Sequence, residues 1–283
     1  MRPYRTRGER PSALCASIAL PSNSVDSSNR PLVADTPARE QRPEGHSRPR
    51  SRTERATLID WPFDPSVAML QPIDHTRRVM PSDIDELVQR AAEEGRRAVR
   101  TSALFPRSAD SALDVGFIPI DELVLLRRSL NDDTGGARTG RIGRLGRRRL
   151  DDAARVDVAA FGPLWGHDRV TLSATRAATA SSHSRSVTAD GRLVGFAISG
   201  RTGRSGYLQR LAVDPTHQRR GFGRLLALDA MRWMTRLRCA DVWVNTSVSN
   251  VAALRLYEGL GFERRPEQLV VAELDLTSPG APR

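Results

Sequence analysis

Residues 217–226 read HQRRGFGRLL: two glycines, Gly221 and Gly223, stand one residue apart among arginines, with an aliphatic run on each side. The preceding LQRLAV is strand-like, and the following LLALDAMRWMTRL carries apolar residues at helical spacing. A dinucleotide-binding fold would need G-x-G-x-x-G after the strand, and a P-loop would need G-x-x-x-x-G-K-[ST]. Neither is present, because the third glycine and the lysine are missing. What remains is [QR]-x-x-G-x-[GA], here Gln218, Gly221 and Gly223. Glycines let the backbone turn with several N–H groups facing outward, and the helix that follows offers its positive end. Such a turn suits a pyrophosphate.

The chain has 283 residues, enough for two ordinary domains or one large one, and a formal charge of +11. Every basic residue other than histidine is arginine, as in a GC-rich coding sequence, which weakens the charge as a sign of a nucleic-acid partner. No aromatic RNA-binding run or zinc finger accompanies it, so nucleic acid is not expected as a partner. Two cysteines, Cys15 and Cys239, argue against a disulfide framework and a cysteine-based zinc site. The five histidines show no metal-ligand spacing, and no metal is expected. With so few cysteines a reducing, cytoplasmic interior is expected, and since no apolar run approaches a membrane span, no membrane contact is expected. Residues 1–56, rich in Arg, Ser and Pro, read as a disordered tail.

From residue 57 onward the chain repeats itself. RAVRTSA at 97–103 and VWVNTSV at 242–248 lie 145 residues apart, as do Gly116-Phe117 and Gly261-Phe262. With one gap, DELVLLRRSL at 121–130 matches EQLVVAELDL at 267–276. A helix-like stretch precedes each copy, so one unit of helix, strand, helix, Gly-Phe turn and strand is used twice. Upstream of the second copy, after the Gly-rich boundary SLNDDTGGARTGR, the order reads short strand, two helices and three strands.

YLQRLAVDPTHQRRGFGRLL followed by VNTSVSNVAALRLYEGLGF resembles the GCN5-related N-acetyltransferases, the GNAT family. The resemblance covers residues 138–276 at full length, while 57–130 match only the C-terminal half of the fold, as in tandem GNAT proteins. It implies an α/β (α+β) GNAT fold, a mixed central sheet flanked by helices and preceded by a partial GNAT-like repeat. It further implies an acetyl-CoA-dependent N-acetyltransferase in which an amine, on a small molecule or a protein, attacks the thioester directly. Leu211, Ala212 and Val213 would lie beside the pantetheine arm. The loop amides of Arg219, Arg220, Gly221, Phe222, Gly223 and Arg224 would hold the pyrophosphate. Tyr257 matches the general acid for the departing thiolate. Asn250 matches a residue bonded to the cofactor arm, and it also suits a helix N-cap.

No general base is evident. Related ribosomal-protein N-terminal acetyltransferases carry Glu where this chain has Asn245, and the carboxylates nearest in sequence are Asp241, Glu258 and Glu273. In the first copy, Asn250, Tyr257 and Asn245 become Phe105, Ala112 and Arg100, with no glycine loop before them. This half is expected to be degenerate, serving as packing or as a wall of the acceptor site. The alternative to an enzyme is a non-catalytic acyl-CoA sensor or interaction protein on the same fold.

Overall fold

The short-range signals in the chain are strong. Pro81, Asp168 and Asn250 start helices, the last two by side-chain acceptance from Thr171 N at 2.7 Å and Ala253 N at 3.1 Å. Asp190 and Gly191 both take positive φ, at 49° and 75°, which matches the twist of a tight hairpin. The computed structural model describes residues 51–61, 64–75, 77–130 and 142–277. The stretch 1–50 and most of the Gly-rich boundary, at 131–141, lie outside the described residues.

The N-terminal copy comprises β1 (Ser51–Arg52), β2 (Ala56–Trp61), β3 (Asp64–Pro72), α1 (Pro81–Glu93), β4 (Ala98–Thr101), α2 (Pro106–Asp114) and β5 (Ile118–Ser129). β1 pairs with β2, so the described fold begins inside the stretch assigned from sequence to the tail. The C-terminal copy follows as β6 (Ile142–Arg144), α3 (Leu150–Phe161), α4 (Arg169–Ala177), β7 (Ser181–Ala189), β8 (Arg192–Thr202) and β9 (Ser205–Val213). It ends with α5 (Phe222–Arg236), β10 (Asp241–Ser247), α6 (Val251–Glu258) and β11 (Glu263–Asp275). The Gly-Phe turns before β5 and β11 both use a left-handed glycine, Gly116 at 101° and Gly261 at 78°.

The eleven strands among the described residues join one mixed sheet in the order β1-β2-β3-β4-β11-β5-β10-β9-β8-β7-β6. The last strand of each copy therefore crosses into the other. β5 pairs with β10 and β11, while β11 pairs with β4 and β5. At the seam, Leu123 stands opposite Leu269, its own repeat counterpart, and Val124–Gln268 and Glu122–Val270 are related by the same shift. The duplication seen in the sequence is thus a local two-fold relation in space, a strand exchange of the kind that links swapped dimers. Each crossing strand covers an edge that would otherwise present unpaired backbone groups.

α5 and α6 pack over Leu226, Met231, Met234 and Tyr257 together with Val124 and Leu126 of β5. α1 and α2 pack over Leu70, Ile84, Leu87 and Val99 together with Ala272 of β11. Each core therefore contains side chains of the other copy. Leu123 and Leu126 are fully buried, each contributing about 2 kcal/mol by transfer from water. α3 and α4 cover the other face through Leu150, Phe161, Leu172, Phe196 and Ile198. Cutting the chain between residues 130 and 142 is expected to leave two pieces that co-elute on gel filtration. Separation without denaturant would show that the exchanged strands do not hold the copies together.

Candidate functional site

The parallel pairing of β9 with β10 runs only from Ser205–Asp241 to Tyr207–Trp243. Beyond that the strands part, and the edge of Leu211–Val213 that faces β10 has no strand on it. The chain then turns through Asp214, whose Oδ1 accepts from Thr216 N at 2.9 Å, and Gln218 Nε2 donates to Val213 O at 3.2 Å. The glutamine of the sequence pattern therefore ties the loop back to the strand end. Arg219 at φ 59° and Gly221 at φ 83° take left-handed turns on either side of Arg220, and alternation of this kind gathers N–H groups into a concavity. Gly221 is the N-cap of α5, so the positive end of that helix opens there. At Gly223 a Cβ would come within 3.3 Å of Leu256 Cδ2, which is why α5 and α6 can pack closely there.

A cavity of about 300 Å³ opens at this split. Its wall brings together Leu211, Ala212, Val213, Arg219, Gly221, Phe222, Gly223, Arg224, Asn250 and Tyr257. Arg220, expected in the same set, lies in the loop but does not line the cavity. Arg224 directs Nη1 to Gly259 O at 3.2 Å, so its side chain braces the end of α6. Asn250 lines the cavity and caps α6, so both readings of it meet in one residue. Tyr257 is 3% exposed, with its ring packed against Phe262 at 5.5 Å between centroids. Gln218 of the glycine pattern lines the cavity too, and sequence reasoning missed Ala160 and Phe161 of α3, Thr246 of β10 and Ala252, Ala253 and Leu256 of α6, which complete the wall. Apolar residues at helical spacing carry no mark that separates a cavity wall from a core.

The three carboxylates weighed from sequence are committed elsewhere. Asp241 accepts from Arg127 Nε at 3.0 Å and Trp243 Nε1 at 3.1 Å, Glu258 accepts from Arg264 at 2.7 Å, and Glu273 pairs with Arg100. Asn245 is buried on β10. Cys239 is buried before the strand, where its thiol is pushed up by burial, away from nucleophilic use. Behind the cavity, Arg210 and Asp157 form a fully buried ion pair, and the Arg210 guanidinium lies 3.8 Å above the Phe161 ring. Burial and the nearby Arg210 charge hold His167 neutral, well below the usual imidazole range. Among the described residues, no group of three or more His, Cys, Asp or Glu side chains could hold a metal, and no helix is long and apolar enough to cross a membrane.

Residues 150–262 match the sequence profile of the Acetyltransferase (GNAT) family. The chain is 40% identical over 76 residues to the [Ribosomal protein bS18]-alanine N-acetyltransferase of Salmonella typhimurium, covering 27% of this chain and 51% of that one. It is 43% identical over 61 residues to N-alpha-acetyltransferase 30 of Xenopus laevis, covering 22% of each. The chain thus spans about half the length of the first of these relatives and less of the second. Among solved structures, a tandem GNAT protein from the clavulanic acid biosynthesis pathway aligns with a TM-score of 0.57 at 15% identity, covering 81% of this chain and 82% of that one. The fold is the GNAT fold, a mixed sheet flanked by helices.

Proposed function

We propose, for a chain that carries a GNAT domain over residues 150–262, that it moves an acetyl group from acetyl-CoA to an amine by direct attack. One observation carries the reading: a single cavity joins the loop amides at the N-terminus of α5, the open edge of β9 and the Tyr257 side chain. The amides of Arg219 to Arg224 take the pyrophosphate, where a helix end and a concavity of N–H groups favour negative charge. Leu211, Ala212 and Val213 offer backbone groups to the amide-rich pantetheine arm, with Asn250 beside it. The amine nitrogen then attacks the thioester carbon, and Tyr257 protonates the departing thiolate. The N-terminal copy, with Phe105, Ala112 and Arg100 at the corresponding positions, has no cofactor loop and acts as a degenerate partner that walls the acceptor side. The acceptor class is an amine, on a small molecule or at a protein amino group. The relatives' names point to protein α-amino groups, and the interior of the cell suits such a reaction.

Asn245, in the place where related enzymes carry Glu, favours a second reading: an acyl-CoA sensor without turnover. Titration calorimetry with acetyl-CoA, followed by thiol release over peptides with free N-termini, amino acids and polyamines, separates the two. Turnover of any acceptor supports the enzyme, binding without turnover supports the sensor, and no binding removes both.

Gly221→Val tests the loop. A Cβ at Gly221 meets nothing within 4 Å, so the harm comes from φ 83°, which a β-branched residue does not tolerate. The loop would leave its left-handed turn and scatter the amides. Acetyl-CoA affinity is expected to fall about tenfold or more while thermal melting changes little. Unchanged affinity would exclude this loop as the pyrophosphate site.

A further inference from the structure

We propose that the N-terminal copy completes the acceptor site: Asp121, carried across on the exchanged strand β5, receives the acceptor's ammonium group and takes its proton before transfer. The inference rests on the acetyltransferase reading. Asp121 stands opposite Val271 of β11, and its Oδ1 accepts from Ser247 Oγ, at the end of β10, at 2.8 Å. Ser247 follows Thr246, which lines the cavity. A segment more than a hundred residues away in sequence thus brings the carboxylate to the C-terminal end of β10, one residue beyond the cavity wall.

The backbone N–H of Glu122 also supports the carboxyl, while no side chain reaches its other oxygen, Oδ2, which is buried. A carboxylate oxygen without a donor costs free energy unless a ligand supplies one. Among the described residues no arginine or histidine pairs with Asp121, whereas Asp241, Glu258 and Glu273 each have an arginine. The charge acting on it is Glu122, next to it on its own strand, and it raises the carboxyl in the same direction as burial does. Burial lifts the Asp121 carboxyl above the usual carboxylate range, toward the pH at which a base works best. The position also has an apolar rim. Ile118, Ile120 and Val248 are 69%, 40% and 40% exposed, and Val248 N donates to Glu122 O at 2.9 Å, which holds that rim against the strand. A cation acceptor beside exposed aliphatic groups suits an amine attached to an apolar residue, such as the first residue of a polypeptide.

The step balances. One N–H bond of the ammonium breaks and its proton passes to Oδ2, leaving a neutral amine and a carboxylic acid. The amine's lone pair forms the C–N bond as the C–S bond breaks, the thiolate takes a proton from Tyr257, and the amide nitrogen releases its second proton to water.

The test compares Asp121→Asn and Asp121→Glu with the unaltered protein, using the best acceptor of the amine panel. Asp121→Asn keeps the Ser247 contact and removes the base. For an α-amino acceptor, ionising near pH 8, about a tenth is already neutral at pH 7, so kcat/KM for the acceptor is expected to fall about tenfold there. The deficit should close as pH rises past 8, the acid limb should move up to the acceptor's own ionisation near pH 8, and acetyl-CoA affinity should hold. Asp121→Glu, which restores a carboxylate, should recover part of the rate. An unchanged profile in Asp121→Asn, or a deficit equal at every pH, overturns the inference while leaving acetyl transfer intact. If the unaltered protein binds acetyl-CoA but acetylates no amine, the acetyltransferase reading falls first and takes the inference with it.

Discussion

Tyr257→Phe is expected to lower the turnover of amine acetylation by about 100-fold or more, with acetyl-CoA affinity and melting temperature near those of the unaltered protein. The substitution removes one oxygen and leaves the ring, which is 3% exposed and packed on Phe262 beside Leu254 and Leu260. Core packing is thus preserved, and only the proton donor is lost. Protonation by Tyr257 neutralises the negative charge that builds on the sulfur as the C–S bond breaks. If Tyr257 served packing alone, the phenylalanine variant would turn over nearly normally, since ring contacts dominate the energetics of a buried aromatic. Single-turnover measurements over a range of pH separate the outcomes. A loss confined to the chemical step supports proton donation, and full activity at every pH removes Tyr257 from the mechanism.

What the sequence made legible was local. The glycine loop and the Gly-Phe turns need backbone conformations that few residues tolerate, and the cap at Asn250 needs a side-chain acceptor, so they leave a mark in the chain. The strand exchange leaves none. DELVLLRRSL and EQLVVAELDL carry the same alternation whichever copy they pair with, and pairing is decided by which edge lies open once the helices have docked. Asp121 was hidden for the same reason, since its approach to Ser247 exists only after β5 has crossed. The change of offset from 145 to 146 falls within the first residues of β5 and β11, between Phe117 and Asp121 and between Phe262 and Glu267, and carries no mark of which copy they pair with. Arg224 lines the cavity, and its guanidinium braces Gly259 O at the end of α6, a contact that leaves no mark in the sequence.

Arg210→Met is expected to cost about 3–5 kcal/mol of stability, a large part of the 5–15 kcal/mol typical of a folded domain. Arg210 Nε donates to Asp157 Oδ1 at 2.8 Å and Nη2 to Oδ2 at 2.6 Å, with both side chains fully buried. Nη2 also reaches Trp165 O at 2.8 Å, and His167 N donates to Asp157 Oδ2 at 2.6 Å. Without the guanidinium, a buried carboxylate would remain with one amide donor, and His167, held neutral, could not replace the charge. The pair itself need not be the source of net stability, because desolvating two charges offsets most of their attraction. The double variant Arg210→Met, Asp157→Leu should therefore recover most of the loss, short of about 1–3 kcal/mol for each backbone group of Trp165 and His167 left unsatisfied. Urea melts of the single and double variants decide this: equal instability would place the cost in geometry, and a single variant as stable as the unaltered protein would show that the network contributes nothing. The network also reaches the site. Phe161 lines the cavity under the Arg210 guanidinium, so a double variant that folds but binds acetyl-CoA more weakly would identify the ion pair as the element that fixes the α3 wall against the split of β9 and β10.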